Sequence, residues 1–318
     1  MKCRKCGHEA VLNMRRHKLA LCATHYLEWF PQQVERTIGK YKMFTRDDKV
    51  LVAVSGGKDS LALWDVLLNL DYHAEGLYIG LGIDGGFGYS DLSLEKIKEF
   101  MTTRPGAVLH KVDIRQAYGE SMSQVAARKH RGRGKPCAVC GLIKRYVMNR
   151  VASESNFDVL ATGHNLDDEV AVLLGNTLHW QTGYLARQAP VLEEVDGLAR
   201  KVKPLCRLYE REIAAYAIVK GIDYIYEECP HAVGSTTNRY KELLNRLELD
   251  SPGAKLQFYI TFLKAKEQGF FQKATEQVIL HACENCGQPT TAPGICTFCR
   301  LWRPAQNQVE PDAQDQSS

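Results

Sequence analysis

The sequence predicts an α/β fold, a doubly wound parallel sheet flanked by two small zinc-binding modules. Three observations carry that expectation. The apolar run Val50-Leu51-Val52-Ala53-Val54 leads through a glycine turn into a helical pattern, Leu61 to Leu68; such continuous runs mark strands buried on both faces, which are parallel. Further runs alternate with helical patterns as far as Tyr226, as in a sheet wound by crossover helices. Cysteines fall in close pairs near both ends, and outside oxidising compartments such pairs bind metal rather than form disulfides.

Composition sets the bounds. With 318 residues, 45% apolar and 25% charged, the chain can bury a large core. A net charge of +4 neither demands nor excludes a nucleic-acid partner, so local clustering has to decide. The start, Met1-Lys2-Cys3-Arg4-Lys5-Cys6, lacks the apolar core of a signal peptide. No apolar stretch reaches the length of a membrane span, so a cytoplasmic protein without membrane contact is expected. Ten of the 11 cysteines lie in motifs, and Cys206 alone reads as a small buried hydrophobe.

Residues 1–30 form the first module. Cys3-x-x-Cys6 and Cys22-x-x-His25 supply four ligands suited to tetrahedral zinc, with His8 and His17 as spare candidates for the fourth. The basic stretch Arg15, Arg16, His17, Lys18 between them reads as solvated, with RNA contact as the second reading. A helix over about 27–41 leads to the first strand and Ser55-Gly56-Gly57-Lys58-Asp59-Ser60. Strand, glycine turn and helix form an anion cradle: backbone N–H groups converge, and the helix start adds its positive end. The loop does not fit G-x-x-x-x-G-K-[ST]. After a second strand, 74–79, Gly80 to Gly85 satisfies G-x-G-x-x-G; it reads as a glycine loop at the carboxyl edge of the sheet, not a second dinucleotide site.

A helix over 93–101, a strand over 107–112 and a helix over about 118–127 follow. Arg128-Lys129-His130-Arg131-Gly132-Arg133-Gly134-Lys135 is a candidate polyanion contact, with Arg128, Lys129, Arg131 and Arg133 as the candidate contacting residues. It directly precedes Pro136-Cys137-Ala138-Val139-Cys140. A helix over 142–153 feeds the strand 159–162, and Gly163 to Glu169 opens the next helix. Acidic side chains there stand where parallel sheets bind ligands, and one can hold Mg2+ against phosphates; helix capping by Asn165 and Asp167 is the plainer reading. Strand patterns at 201–205 and 224–226 enclose a helix over 213–220. Helices over 240–249 and 256–270 form an extension, and Cys283-x-x-Cys286 with Cys296-x-x-Cys299 reads as a zinc ribbon. The expected units are 1–30, a catalytic domain over 31–250, a helical extension over 251–280, the ribbon over 281–303 and a disordered polar tail over 304–318.

SGGKDS at 55–60 resembles the loop of the PP-loop ATP pyrophosphatases, Rossmann-like enzymes that cleave ATP to AMP and pyrophosphate. With PCAVCGLIKR at 136–145, TGHNLDDE at 162–169 and ECP at 228–230, the chain resembles the TtcA/TtuA family of tRNA 2-thiolation enzymes, on the branch with terminal zinc modules. The resemblance implies a 4Fe-4S cluster on Cys137, Cys140 and Cys229, with one iron open to carry sulfide. It implies ATP contacts from Ala53, Val54, Ser55, Gly56, Gly57, Lys58, Asp59, Ser60, Ile79 and Gly163. Cys137, Lys144 and Asp168 match catalytic positions, with Lys144 beside the oxyanion or adenylate and Asp168 as magnesium ligand or base. ATP, Mg2+, the cluster and two Zn2+ are the implied cofactors. tRNA, a ubiquitin-like thiocarboxylated sulfur carrier and a second copy of the chain are the implied partners.

The implied reaction is ATP-dependent replacement of a uridine C2 oxygen by sulfur, in the T-loop or at the wobble position. Persulfide chemistry on Cys137 and Cys229 without a cluster is the first alternative. Another PP-loop tRNA ligase is the second, and a non-enzymatic zinc-finger RNA-binding protein the third.

Overall fold

The computed structural model describes residues 1–128, 136–195, 197–232, 234, 236–271 and 279–302. A hairpin of β1 (Leu12–Met14) and β2 (Leu19–Leu21), joined by a 3-10 turn at Arg15–His17, precedes α1 (Ala23–Lys40). The central layer then begins with β3 (Val50–Ala53), α2 (Lys58–Asn69), β4 (Ala74–Gly80), α3 (Tyr89–Thr102) and β5 (Leu109–Asp113). Helices α4 (Ile114–Tyr118), α5 (Met122–Arg128) and α6 (Pro136–Glu154) return the chain to β6 (Val159–Thr162). Beyond it come α7 (Leu166–Leu178), α8 (Thr182–Arg187), β7 (Val191–Leu192), β8 (Lys201–Val202) and α9 (Glu210–Lys220). The remainder is α10 (Thr236–Asp250), α11 (Ala254–Glu267), β9 (His281–Ala282), β10 (Pro289–Thr290) and α12 (Thr297–Leu301).

The main sheet has the order β5-β4-β3-β6-β8-β7, parallel except for the antiparallel edge pair β7–β8. From β3 the chain winds outward through β4 and β5, then crosses back to β6 on the other side of β3. The crevice at the carboxyl ends of β3 and β6 is therefore the switch point, where open α/β sheets bind ligands. β3 sits at the centre because both faces are covered: Val50 and Val52 point into one core and Leu51 into the other, all fully buried.

The first core holds Trp64, stacked on Phe100 with ring centroids 5.1 Å apart, and Phe30, stacked on Tyr216 at 4.3 Å. Trp64 lies so close to β4 that a Cβ on Gly76 would sit 2.8 Å from its ring, so only glycine fits there. The N-terminal module joins this core through α1, where Tyr26 Oη donates to Glu212 O at 2.6 Å. α11 does so through Tyr259, Phe262 and Leu263. The second core packs α6 against the C-terminal ribbon: the Phe298 ring stacks on Tyr146 at 3.5 Å and Trp302 stacks on Tyr118 at 4.8 Å.

Three expectations are corrected. Residues 224–226 form no strand: Ile225 N–H donates to Gly56 O at 2.9 Å, so its donor serves the glycine loop instead of a sheet. The helix expected over 118–127 is two helices, because Gly119 at φ 82° caps α4 in the left-handed region. The strand expected over 201–205 stops at Val202, ahead of Pro204, which has no N–H for a ladder.

Candidate active site

α2 starts directly behind the glycine loop, and no side chain caps it. Its first-turn N–H groups are thus left for a ligand. Ser55 N–H donates to Ser60 Oγ at 3.1 Å, and Ser60 Oγ donates to Gly57 O at 2.9 Å, which closes the loop on itself. Gly56 has φ 77°, and a Cβ there would lie 2.6 Å from Ser93 O. Across the crevice, a Cβ on Gly163 would lie 3.0 Å from the backbone of Asp59 and Ser60, so β6 approaches the loop as closely as glycine allows.

A cavity of about 340 Å³ opens on this loop. Ala53, Val54, Ser55, Asp59, Ser60, Ile79 and Gly163 line it, whereas Gly56, Gly57 and Lys58 of the expected ATP contacts do not. Its far wall is Cys140, Lys144 and Met148 of α6 together with Cys229. Leu81 and Ile83 of the second glycine loop also line it, at the carboxyl edge of the sheet as expected, and so does Asp168. The phosphate cradle and two of the three candidate cluster thiols therefore face one space.

Charges crowd one end of the cavity. Lys58 Nζ lies 2.7 Å from Glu210 and 3.2 Å from Asp59; Lys241 Nζ lies 2.6 Å from Asp168 and 3.1 Å from Glu210. Burial pushes Asp59 up to about 6, opposed by Lys58 and reinforced by Asp168 and Glu210. Among the described residues, Asp59 Oδ1 is buried without a hydrogen-bond partner. Asp59, Asp168 and Glu210 are the carboxylates here that could hold a divalent cation. Asp168 lines the cavity and also closes a capping box on α7 with Asn165. Asp167 does not cap α7; it is buried and pairs with Lys255 at 2.5 Å. Glu210 and Lys241 were not singled out from the sequence. They enter from α9 and α10, and no local spacing links them to residue 168.

Pro136 opens α6, as proline does at a first helical position. Cys137 and Cys140 follow on one face, one turn apart. Cys137 Sγ donates to His231 O at 3.3 Å, which ties α6 to the loop of Cys229. The other side of that loop is clamped: a Cβ on Gly85 would lie 2.2 Å from Pro230 Cγ. Burial raises the Cys140 thiol, with Cys229 and Cys137 adding to the rise and Lys144 opposing it. Three free thiols, soft donors beside a cavity and at a helix start, fit a three-thiolate iron–sulfur group. Cys206 is no fourth ligand; it lies fully buried in the first core.

The terminal cysteines also converge. Cys3, Cys6, Cys22 and His25 place their ligand atoms within 4.8 Å of one another, as do Cys283, Cys286, Cys296 and Cys299. A tetrahedral zinc with Zn–S near 2.3 Å has S···S edges of about 3.8 Å. Cys6 and Cys22 stand 3.6 Å apart, and Cys286 and Cys296 3.9 Å. Both modules use one device: a Cys-x-x-Cys-Gly turn with Gly7 or Gly287 at positive φ, then a second pair at the start of α1 or α12. Cys3 is held down to about 5 and Cys283 to about 6, because backbone N–H donors outweigh burial. His8 Nδ1 lies 3.2 Å from Cys6 Sγ, outside the four-ligand set.

Of the basic segment, Lys129, Arg131 and Arg133 lie outside the described residues. Arg128 pairs with Glu120 at 2.5 Å and donates to Leu301 O at 3.0 Å, tying α5 to the ribbon.

β3, the SGGKDS loop and α2 define a PP-loop domain, and residues 30–246 match the family of that description. Residues 2–27 match the N-terminal LIM domain of 2-thiouridine synthetase TtuA. Over 302 residues the chain is 49% identical to tRNA-5-methyluridine(54) 2-sulfurtransferase of Thermus thermophilus, covering 95% of this chain and 91% of that one. It is 44% identical to the Pyrococcus horikoshii protein of the same name, covering 95% and 94%. The U34-tRNA thiolase NcsA from Methanococcus maripaludis, solved with its 4Fe-4S cluster, shares the fold with a TM-score of 0.75 over 95% of each chain at 24% identity. The chain belongs to the TtuA family of 2-thiouridine synthetases, tRNA sulfurtransferases built on a PP-loop.

Proposed function

We propose that this chain replaces the C2 oxygen of uridine 54 in the tRNA T-loop by sulfur, at the expense of ATP. The single observation that supports it best is the shared cavity, with Ser55 and Ser60 of the phosphate loop on one wall and Cys140 and Cys229 on the other. ATP lies with its phosphates at the uncapped start of α2, and Ser55, Ser60 and Lys58 complete the cradle. Asp59, Asp168 and Glu210 would hold Mg2+, which draws charge from the phosphates. The target base must be extruded to enter the cavity. Its C2 oxygen attacks the α-phosphorus, pyrophosphate leaves, and the oxygen becomes part of a good leaving group. Sulfur then adds to C2 and AMP departs with the oxygen. Lys144, on the cavity wall one turn beyond Cys140, neutralises the charge that develops there. A 4Fe-4S cluster on Cys137, Cys140 and Cys229 would supply the sulfur atom from an iron without a protein thiolate.

The same reading gives each terminal module one Zn2+. It takes the sulfur from a ubiquitin-like carrier with a C-terminal thiocarboxylate, and it makes the enzyme a cytoplasmic homodimer. Phosphates of the tRNA meet Arg128, Lys129, Arg131 and Arg133. No described helix is long and apolar enough to cross a membrane. The test is nucleoside mass analysis of tRNA from a deletion strain and its parent, with the thiolated position mapped. Loss of 2-thiolation at position 54 supports the reading. Loss at the wobble uridine instead overturns the target, and unchanged thiolation overturns the activity.

A further inference from the structure

His164 follows β6 and lines the ATP cavity together with Cys140, Lys144 and Asp168, yet the thiolation chemistry has given it no role. Its side chain is exposed, so a molecule in the cavity can reach it. Nδ1 lies 2.8 Å from Thr162 Oγ1, and among the described residues Nε2 has no hydrogen-bond partner. One nitrogen anchors the ring and the other is open, which is how an imidazole is readied for proton transfer.

The reaction leaves a proton to be placed. Uridine carries a hydrogen on N3, next to C2. When O2 attacks the α-phosphorus, the ring becomes cationic unless that hydrogen departs. When sulfur adds to C2, N3 must regain a proton, because 2-thiouridine carries one there. A group that is neutral before the first step and acidic after it serves both. The other titratable groups on the cavity wall are committed. Asp168 Oδ1 pairs with Lys241 at 2.6 Å, and its Oδ2 accepts from Asn165 N–H at 3.0 Å. Asp59 Oδ2 pairs with Lys58 at 3.2 Å, and its Oδ1 is buried. Lys144 offers donors only. Burial pushes the phenols of Tyr78 and Tyr89 up, so both stay protonated. Cys140 and Cys229 belong to the three-thiolate set. His164 remains. Burial holds its imidazole below the ordinary range, with Lys203 and Lys144 adding to the fall and Asp168 and Glu169 opposing it. It is therefore neutral at physiological pH.

We propose that His164 is the general base that removes the N3 proton of the target uridine and later returns it to the thiolated ring. Nδ1–H donates to Thr162 Oγ1, which leaves the lone pair on Nε2. As the bond from O2 to the α-phosphorus forms and the bond to pyrophosphate breaks, the N3 proton moves to Nε2. As sulfide adds to C2, an electron pair shifts onto N3 and the imidazolium gives its proton back there. The C2–O bond then breaks, C2=S forms and AMP leaves with the oxygen. The enzyme ends with the proton count it started with. This inference rests on the thiolation reading above and deepens it: Lys144 meets charge at C2, and His164 handles the proton at N3.

The test uses the full-length protein with its metals, kept anaerobic, and unmodified tRNA. Single-turnover formation of 2-thiouridine is measured for wild type, H164A, H164Q and T162V, with and without added imidazole. ATP binding, tRNA binding, iron per chain and melting temperature are measured alongside. H164A and H164Q should be slower by about 100-fold or more, with binding and iron unchanged. Imidazole should restore part of the rate in H164A, where it can enter the space left, and none in H164Q, where glutamine fills it. That pattern supports the proposal. A wild-type rate in H164Q overturns it, and so does a loss in H164A that imidazole leaves untouched, since a merely structural side chain gives that result. If both variants at 164 fail to fold, T162V decides, because it keeps the imidazole and removes its anchor. A several-fold slower rate with unchanged binding then supports the proposal, and a wild-type rate overturns it. Wild type that forms no 2-thiouridine would instead bring down the thiolation reading, and this inference with it.

Discussion

Lys241 Nζ lies 2.6 Å from Asp168 Oδ1, so α10, outside the sheet, reaches into the acidic end of the ATP cavity. The same amine holds Glu210 at 3.1 Å; among the described residues, without it Asp168 would have no ion pair, and Glu210 and Asp59 would share Lys58 alone. Lys241→Met should therefore reduce thiolation by about tenfold or more through misplaced carboxylates, with iron content unchanged. Single-turnover assays with ATP in excess, alongside iron analysis, check this. Full activity would show that Lys241 only fastens α10.

Asp59 gives a pH signature. Its folded-state value near 6 lies above the ordinary carboxylate range, because burial outweighs the Lys58 pairing. The folded chain thus keeps a proton that the unfolded chain has already released. Stability from this group is present at low pH and is lost as pH rises through about 6. Asp59→Asn should stabilise the ligand-free protein by up to about 3 kcal/mol at pH 8, and by about half of that at pH 5, while abolishing thiolation. Urea unfolding at the two pH values checks it; an equal or smaller gain at pH 8 would refute the assignment.

The cysteines should separate cleanly. Cys229→Ala should lose iron and thiolation yet bind ATP, since the thiol sits across the cavity from the phosphate loop. Cys206→Ala should keep iron and activity and cost about 1–2 kcal/mol of stability, as expected for a small void in the first core. Iron loss in the Cys206 variant would contradict the three-thiolate set.

Phe298 joins the ribbon to the helix that carries Cys137 and Cys140, through its stack on Tyr146. Phe298→Ala should cost about 3–5 kcal/mol. It should also lower iron per chain after anaerobic reconstitution, and stripping metal from the ribbon should do the same. Undiminished iron loading in the variant would mean that α6 holds its place without the ribbon.

How much of this was legible beforehand follows from the range of each signal. The SGGKDS loop, the strand before it and both cysteine quartets are written in residues close in sequence, and the fold leaves them where local chemistry put them. The Lys241–Glu210–Asp168 cluster joins three helices whose approach depends on packing, so no spacing announces it. Residues 224–226 show the reverse. Their apolar and aromatic pattern suits a strand, but the donor that a ladder would use is spent on Gly56 O. Likewise the ribbon was legible as a metal module, though not as part of the core around α6, because Phe298 and Trp302 carry no mark of their distant partners Tyr146 and Tyr118.

The stacking of Phe298 on Tyr146 also orders events on the ribosome. About 150 residues separate the end of α6 at Glu154 from the end of α12 at Leu301, which is roughly 10–30 s of elongation at usual rates. During that interval the nascent chain can complete its N-terminal module and β3 to β6, while α6 still presents a bare aromatic and aliphatic face. The helix that carries Cys137 and Cys140 gains this backing only when α12 has left the exit tunnel. Translation thus withholds the Phe298 contact from α6 for about 150 residues after Glu154, and products truncated within that span lack it.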